Sequence, residues 1–209
     1  MAQPARAVVT CMDYRVKDEV ILRHLGWQAD GAYVIRNAGG AVTQDVIRSL
    51  MLLQKFVLAK PPPSGEGTYD IPIAVVAHTK CGMVTLDGGE DDLRRRIERD
   101  IWICETPPFA LETFLNPQLA VRRAFQRLRT SRFVSSRTPQ GLRLSGYVYD
   151  VDANPQSLKE VRTHVVTGGQ DWDLVASIHK ITVERLKEAN PQAKDELRTG
   201  VGQVLYIPS

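Results

Sequence analysis

Short apolar runs rich in β-branched residues alternate with longer segments of helical periodicity along the first three quarters of the chain. Residues 7–10, 31–36, 71–77 and 147–151 have the composition of strands. The runs at 7–10 and 71–77 are almost wholly apolar, which is typical of parallel strands that helices cover on both faces. The pattern therefore predicts an α/β fold with a mostly parallel sheet.

The segments between these runs carry apolar residues at helical spacing. Helices are predicted over residues 17–25, over residues 43–58, over residues 91–104 and in a segment that opens at Asn116. The third helix has Cys104 on its apolar face, so we expect Cys104 to be a core residue and not a metal ligand.

The pattern changes after residue 152. A polar stretch is followed by a short strand, a helix, a second short helix and a closing strand. We therefore predict two domains, residues 1–152 and residues 163–209, with the order βααβ in the second.

The second predicted domain resembles a LysM domain. The resemblance is carried by Gly-Gln-Asp-Trp-Asp at 169–173 and Ala-Asn-Pro-Gln at 189–192. It implies a small βααβ fold and N-acetylglucosamine glycans as a ligand. Unlike many secreted members, this segment contains no cysteine. A role in oligomerisation or placement is therefore an equal alternative.

Composition limits the possible function classes. The chain has 209 residues, a formal net charge of +3 and three cysteines. Free cysteines without an apolar leader predict a reducing compartment, the cytoplasm. No apolar run is long enough to span a membrane, so no membrane association is expected. The clustered arginines fall on amphipathic helices without a recognised nucleic-acid module, so no nucleic acid partner is expected either.

Three side chains with metal-binding chemistry follow two of the predicted strands. Cys11 follows the first strand, and His78 and Cys81 follow the run at 71–77. The carboxyl ends of neighbouring parallel strands meet at one edge of a sheet, where ligands gather. Two thiolates and one imidazole suit zinc and leave a fourth position open, as in catalytic zinc sites. The alternative is that the two cysteines are small buried core residues.

The complete set of motifs resembles the β-class carbonic anhydrases of the short-chain type. It comprises Cys-Met-Asp-Tyr-Arg at 11–15, Arg-Asn-Ala-Gly-Gly at 36–40 and His-Thr-Lys-Cys-Gly at 78–82. The match extends in order and spacing over about residues 5–151. It implies an α/β, parallel-sheet domain that holds Zn²⁺ through Cys11, His78 and Cys81. A small βααβ LysM-like domain would follow it.

The resemblance also implies roles for three further residues. Asp13 would orient a zinc-bound hydroxide that converts CO₂ to bicarbonate, and Arg15 would hold Asp13 in a bidentate pair. The backbone amide of Gly82 would bind a substrate oxygen. The family's active site lies at a dimer interface, so a homodimer or a higher homo-oligomer is implied.

Two other functions remain open at this point. Relatives of the short-chain type hydrolyse carbonyl sulfide (COS) or carbon disulfide (CS₂) with the same ligands, and the motifs do not separate these substrates from CO₂. A non-enzymatic glycan-binding or scaffold protein with a structural zinc is the alternative of another class. The presence of both Asp13 and Arg15 argues against it.

Overall fold

The computed structural model describes residues 6–58, 71–84, 114–134, 142–191, 193 and 200–209. Five strands in this part of the chain form one sheet: β1 (Arg6–Cys11), β2 (Ala32–Asn37), β3 (Ile73–His78), β4 (Leu144–Asp150) and β5 (Ser157–Glu160). Their order across the sheet is β2-β1-β3-β4-β5. The first four strands are parallel and β5 is antiparallel to β4. The predicted mostly parallel α/β sheet is confirmed.

Among the described residues, three α-helices accompany this sheet: α1 (Asp18–Leu25), α2 (Gln44–Leu58) and α3 (Pro117–Thr130). The N-terminus of α3 is capped as expected, because Asn116 Oδ1 accepts a hydrogen bond from the Leu119 amide at 2.9 Å. The helix predicted over residues 91–104, with Cys104, lies outside the described residues. None of the described helices is long and apolar enough to cross a lipid bilayer.

Side chains of β1 and β3 alternate between two apolar clusters, one on each face of the sheet. Val8 and Val76 pack with residues of α1 on one face. Val9 and Val75 pack with residues of α2 and α3 on the other face. Burial on both faces explains why the central residues of these strands are almost all apolar. This burial also fixes where the carboxyl ends of β1 and β3 lie.

Strand β5 was not expected. The sequence pattern favours residues 147–151 as the last strand of the sheet, and this prediction is wrong because β5 pairs with β4 beyond it. β5 lies in the stretch between the two predicted domains, and Leu158 is its one buried residue. A four-residue edge strand with a single apolar side chain lacks the alternation that identifies strands in a sequence.

A glycine in β4 allows α3 to pack closely on the sheet. A Cβ atom at Gly146 would lie 2.3 Å from Val121 Cγ1 and 3.1 Å from Phe125 Cζ. Any larger residue would push α3 away. The close packing also places Ala120 of α3 against the cluster that contains Cys11 and Cys81.

The C-terminal elements are β6 (Thr163–Val165), α4 (Trp172–His179), α5 (Val183–Glu188) and β7 (Val204–Tyr206). Strands β6 and β7 form an antiparallel pair. We call these four elements the βααβ unit. Its helices and strands enclose a separate apolar cluster whose buried members include Trp172, Val175, Leu186 and Leu205.

The βααβ unit contacts α3 through one glutamine. Gln126 Nε2 donates to the Gly202 carbonyl at 3.2 Å, and Gln126 Oε1 accepts from the Val204 amide at 2.6 Å. Val204 is also buried in the cluster that contains Phe125 and Leu128. The unit therefore shares part of its packing with the helix that borders the large sheet.

Two histidines join β6 to α4 inside this unit. Gln170 Oε1 accepts from the Thr167 amide at 2.8 Å and lies 2.9 Å from His164 Nε2, so His164 carries its proton on Nε2. His164 Nδ1 then accepts from His179 Nε2 at 3.0 Å.

Candidate metal centre

The three predicted metal ligands meet at the carboxyl edge of the sheet. Cys11 is the last residue of β1, His78 is the last residue of β3, and Cys81 follows three positions later. Their donor atoms all lie within 4.8 Å of one another, and all three residues are buried. The strand order β2-β1-β3-β4 means that β1 and β3 lead to opposite sides of the sheet. The cluster thus lies at the switch point, where such sheets bind ligands.

The imidazole of His78 is oriented for metal binding. Its Nδ1 donates to the Thr79 carbonyl at 2.8 Å, which leaves a lone pair on Nε2. Nε2 is buried and has no hydrogen-bond partner among the described residues. Because an unpaired buried polar atom costs free energy, a metal ion at the cluster would satisfy it. This atom and the two sulfurs therefore fit a metal ion.

The two thiols are electrostatically linked. A hydrogen bond from the Cys81 thiol, with smaller contributions from His78 and from the backbone amides of Asp13 and Gly39, lowers the pKa of Cys11 to about 4. The same hydrogen bond to Cys11 raises the pKa of Cys81. The hydrogen bond thus favours the thiolate form of Cys11, and a bound metal would favour ionisation of both sulfurs.

A partly buried carboxylate, Asp13, lies beside the cluster and is held by an arginine. Arg15 Nε lies 3.0 Å from Asp13 Oδ1 and Nη2 lies 2.6 Å from Oδ2. This side-chain hydrogen bonding lowers the pKa of Asp13 to about 2. Asp13 Oδ2 is 3.9 Å from His78 Nε2, so the carboxylate faces the cluster without belonging to it. Arg15 Nη2 also donates to the Lys80 carbonyl at 3.1 Å, between two of the ligands.

The turn after β2 supports the Cys11 segment. Gly40 has φ +64°, and a Cβ atom there would lie 2.9 Å from the Thr10 carbonyl carbon and 3.0 Å from the Cys11 nitrogen. The close approach that requires glycine at this position is therefore to the protein's own backbone. Glycines in a turn after a strand favour the expectation that a small ligand approaches the backbone there. For Gly40 this expectation is corrected, because the backbone of Thr10 and Cys11 occupies that space.

Gly82, the predicted substrate-binding residue, directly follows Cys81 and is exposed. It is the first of three residues in helical conformation, residues 82–84. The first amides of a helix have no partner within the helix, so the Gly82 amide is suited to an external acceptor.

Some contacts at the site could not be inferred from the sequence. Phe114 and Met83 form an apolar wall against Cys11 and Cys81. Nothing in the spacing of Phe114, 33 positions beyond Cys81, connects it with the cluster. Asp150, at the end of β4, contacts the loop between the ligands and also has no sequence signature.

Comparison with known proteins identifies the family. The chain is 37% identical over 150 residues to β-carbonic anhydrase 1 of Mycobacterium tuberculosis, a match that covers 69% of this chain and 76% of that protein. The chain belongs to the β-carbonic anhydrase family. No family model matches the chain, so the assignment depends on individual relatives.

Two further proteins are similar to this chain. The crystal structure of carbonic anhydrase from Streptococcus mutans is 29% identical, with a TM-score of 0.55 over 78% of this chain and 87% of that one. Carbon disulfide hydrolase of an Acidianus strain is 33% identical over 168 residues, which is 70% of this chain and 73% of that protein. The chain is thus similar both to β-carbonic anhydrases and to a protein that is named for a different substrate, carbon disulfide.

Proposed function

We propose that this chain catalyses the hydration of CO₂ to bicarbonate and a proton, with a zinc ion held by Cys11, His78 and Cys81. One observation supports this above all: Arg15 holds the Asp13 carboxylate with Oδ2 only 3.9 Å from His78 Nε2. A purely structural metal site has no need of an ionised carboxylate held beside its ligands. Membership of the β-carbonic anhydrase family points to the same reaction.

The donor set favours zinc among the common metals. Two thiolates and one imidazole are ligands of intermediate softness, and three protein ligands leave one position open in a tetrahedral site. Bound zinc lowers the pKa of a water molecule that it coordinates, so that hydroxide is available near neutral pH. The Thr79 carbonyl fixes the His78 ring so that Nε2, and not Nδ1, is the ligand.

Asp13 and Arg15 would then control the nucleophile. The Asp13 carboxylate accepts a hydrogen bond from the attacking water and directs an oxygen lone pair toward the carbon of CO₂. Arg15 occupies both carboxylate oxygens, which keeps Asp13 ionised and holds it away from the metal.

The substrate is small, linear and apolar, and its oxygens gain negative charge as bicarbonate forms. Phe114 and Met83 offer an apolar wall next to the two cysteines. The Gly82 amide is suited to donate to a substrate oxygen as charge develops there.

Hydrolysis of CS₂ or COS is the second candidate function. It is supported by the 33% identity to the Acidianus carbon disulfide hydrolase. Purified protein should be assayed by stopped flow for CO₂ hydration and, in parallel, for H₂S release from COS and CS₂. Hydration that a zinc chelator abolishes and added zinc restores would support the first function. H₂S release without CO₂ hydration would assign the second, and neither activity in zinc-loaded protein would contradict both.

A homodimer or a higher homo-oligomer is part of the proposal. Met12 and Tyr14, on either side of Asp13, are 65% and 82% exposed. Exposed large apolar side chains beside a functional site are typical of a surface that another chain covers. Sedimentation velocity would test this, and a monomer at micromolar concentration would contradict it.

For the C-terminal part, the proposal is a LysM-like domain over residues 163–209 that folds separately from residues 1–152. Its element order, its antiparallel strand pair and its own apolar cluster support this interpretation. N-acetylglucosamine oligomers, added to the full chain during NMR, would test the ligand that the resemblance implies. Unchanged spectra would leave oligomerisation or placement as the role.

A reducing compartment, as in the cytoplasm, completes the proposal. Cys11 and Cys81 are both free and close together. Oxidation would remove the thiolates that the metal requires.

A further inference from the structure

The connection between β4 and β5 touches both loops that carry the candidate site. We call residues 150–156 the β4–β5 connection. On one side it contacts the segment from His78 to Cys81, which carries two of the three metal ligands. On the other side it reaches Arg15. The metal ligands and the Asp13–Arg15 pair are thus linked through a segment that contains neither.

The hydroxyl of Thr79 is the main contact of this connection. Thr79 Oγ1 donates to Asp150 Oδ1 at 3.2 Å and accepts from the Val151 amide at 3.1 Å. Asp150 Oδ1 also accepts from the Asp152 amide at 3.1 Å. The Thr79 hydroxyl therefore donates one hydrogen bond and accepts another. Asp150 Oδ1 contacts both the Thr79 side chain and the amide of Asp152 in the turn, so one oxygen atom positions both.

Thr79 transmits this position to a metal ligand. Its backbone carbonyl accepts the Nδ1 proton of His78 at 2.8 Å, and its amide donates to the Tyr149 carbonyl at 2.9 Å. The peptide that orients the imidazole is thus held by β4 through its backbone and by Asp150 through its side chain. Partners that orient a ligand in this way affect both metal affinity and activity.

The next residue links the same loop to the Asp13–Arg15 pair. Lys80 has φ 53°, in the left-handed region that costs free energy for residues other than glycine. This conformation accompanies the hydrogen bond from Arg15 Nη2 to the Lys80 carbonyl. Contacts on both sides of Lys80 must hold the loop in this conformation, and Thr79 provides one of them.

The β4–β5 connection also contacts Arg15 directly. Gln156 Oε1 accepts from the Tyr149 hydroxyl, and Gln156 Nε2 donates to the Arg15 carbonyl at 3.4 Å. Tyr149 is fully buried. Arg15 is thus held by two contacts. Its carbonyl binds Gln156, which is anchored to β4 through Tyr149, and its guanidinium binds the Lys80 carbonyl.

We propose that Asp150 is a positioning residue of the metal centre and that it acts through Thr79. The β4–β5 connection thereby holds the segment from His78 to Cys81 in a fixed position relative to the Asp13–Arg15 pair. This inference rests on the proposed zinc-dependent function. The Asp150 carboxylate accepts from the Thr79 hydroxyl and the Asp152 amide, so its effect on the metal ligands would pass through the orientation of His78 and the Lys80 carbonyl.

Loss of this hydrogen bond should misalign the site without removing it. We expect Thr79→Val and Asp150→Ala to lower kcat and to speed zinc release to a chelator, each by about 10-fold, as for other outer partners of metal ligands. KM should change little, because the substrate contacts remain. The absorption bands of the cobalt-substituted protein should shift, since they report the geometry around the metal.

Conservative variants separate positioning from general damage. Thr79→Ser keeps the hydroxyl and Asp150→Asn keeps an Oδ1 acceptor, so both should stay within about two-fold of the wild type in kcat and zinc release. Asp152→Ala is the matched control in the same turn. It removes the ion pair from Lys80 Nζ to Asp152 Oδ2 at 2.9 Å, whose side chains are 68% and 53% exposed. Exposed pairs contribute little, so this variant should behave like the wild type.

The wild-type protein offers a test that does not depend on a variant that folds. If Thr79 and Asp150 stabilise the metal-bound site, zinc must in turn stabilise their contact, because the coupling between two sites is reciprocal. Hydrogen exchange at the Val151 and Asp152 amides should therefore slow when zinc is added to the metal-free protein. The amide of Ile47 serves as the reference, because it lies in α2 and donates to the Thr43 carbonyl, away from the β4–β5 connection. Its exchange rate should not change when zinc is added.

The outcomes are distinct. A wild-type chain that binds no zinc or shows no activity contradicts the proposed function. A wild-type chain that is zinc-loaded and active, with unchanged exchange at Val151 and Asp152, overturns the role of Asp150. Folded Thr79→Val and Asp150→Ala proteins with wild-type zinc release, cobalt spectrum and kcat overturn it equally.

Discussion

Arg15 binds Asp13 in a fork, with Nη2 2.6 Å from Oδ2 and Nε 3.0 Å from Oδ1, while Nη2 also donates to the Lys80 carbonyl at 3.1 Å. The carboxylate is therefore oriented relative to the same loop that carries two metal ligands. The backbone amide of Arg15 also donates to Oδ1, at 2.9 Å. An ionised carboxylate with this many fixed donors cannot turn toward the metal without losing them.

The first prediction concerns Arg15. Arg15→Ala should free Asp13 to bind zinc directly, so the protein should keep its metal and lose activity by about 10–100-fold. Arg15→Lys should restore little, because an ammonium cannot reproduce the two parallel hydrogen bonds. A crystal structure or X-ray absorption of the zinc-loaded variant would show whether a carboxylate has become the fourth ligand. Near-normal turnover would mean that the pair is only structural.

The second prediction separates the charge of Asp13 from its shape. Asp13→Asn should retain zinc but lower kcat by about 10–100-fold, since a neutral amide orients the nucleophile poorly. Asp45→Asn is a suitable control, because Asp45 is 85% exposed on α2 and pairs only with Arg48 among the described residues. Metal analysis and kcat should be measured on both. Equal activity in the two variants would exclude a catalytic role for the carboxylate.

The third prediction tests the ligand set by metal content. Cys81→Ser should lose most of its zinc, because a serine hydroxyl is a much harder and weaker ligand than a thiolate. Cys104→Ser should keep one zinc per chain, as Cys104 is predicted to be a core residue outside the described part of the structure. Elemental analysis after dialysis measures both. A full zinc complement in Cys81→Ser would refute the assignment.

The fourth prediction uses two truncations whose difference is β5. A chain that ends after Arg162 retains Leu158 and Val161, both buried, and should keep its turnover per zinc with a lower melting temperature. A chain that ends after Asp152 lacks Gln156 and β5 and should lose activity as well as stability. If the longer truncation is folded and zinc-loaded but inactive, the βααβ unit belongs to the active assembly.

The fifth prediction concerns pH and the βααβ unit. Burial lowers the pKa of His179, and the neighbouring His164 and Arg162 lower it further. The unfolded chain therefore binds more protons than the folded chain as the pH falls below about 6.5, and the unit should lose stability there. Exchange of the Ala176 amide in α4 would measure this. His179→Gln should remove most of the pH dependence, and an unchanged dependence would rule out His179 as its source.

The meeting of Cys11, His78 and Cys81 could be predicted from the sequence because two strong patterns coincide. Strands with continuous apolar runs must be central and parallel, so Cys11 and His78 had to meet at one edge. Spacing alone then places Cys81 beside His78. The strand bounds differ from the predicted ones by one to three residues, for example Ile73–His78 against residues 71–77.

The supporting contacts could not be predicted for a physical reason. Asp150, Gln156 and Lys80 act through hydrogen bonds across more than sixty positions or through a local left-handed turn. Such contacts leave no hydrophobic periodicity. A Gly-Gly turn indicates a close approach, but the sequence does not tell whether a ligand or the backbone at Cys11 lies against Gly40.

The amide of Gln126 completes the small sheet in place of a third strand. It accepts from the amide of Val204 and donates to the carbonyl of Gly202, the two groups that a neighbouring strand would pair. Transfer of the βααβ unit to another protein would leave both groups unpaired and expose Val204. A workable graft would need a recipient helix that carries a glutamine and a small apolar patch at the matching position. Transfer of the βααβ unit between proteins is thus restricted by Gln126, a side chain that lies outside the transferred segment.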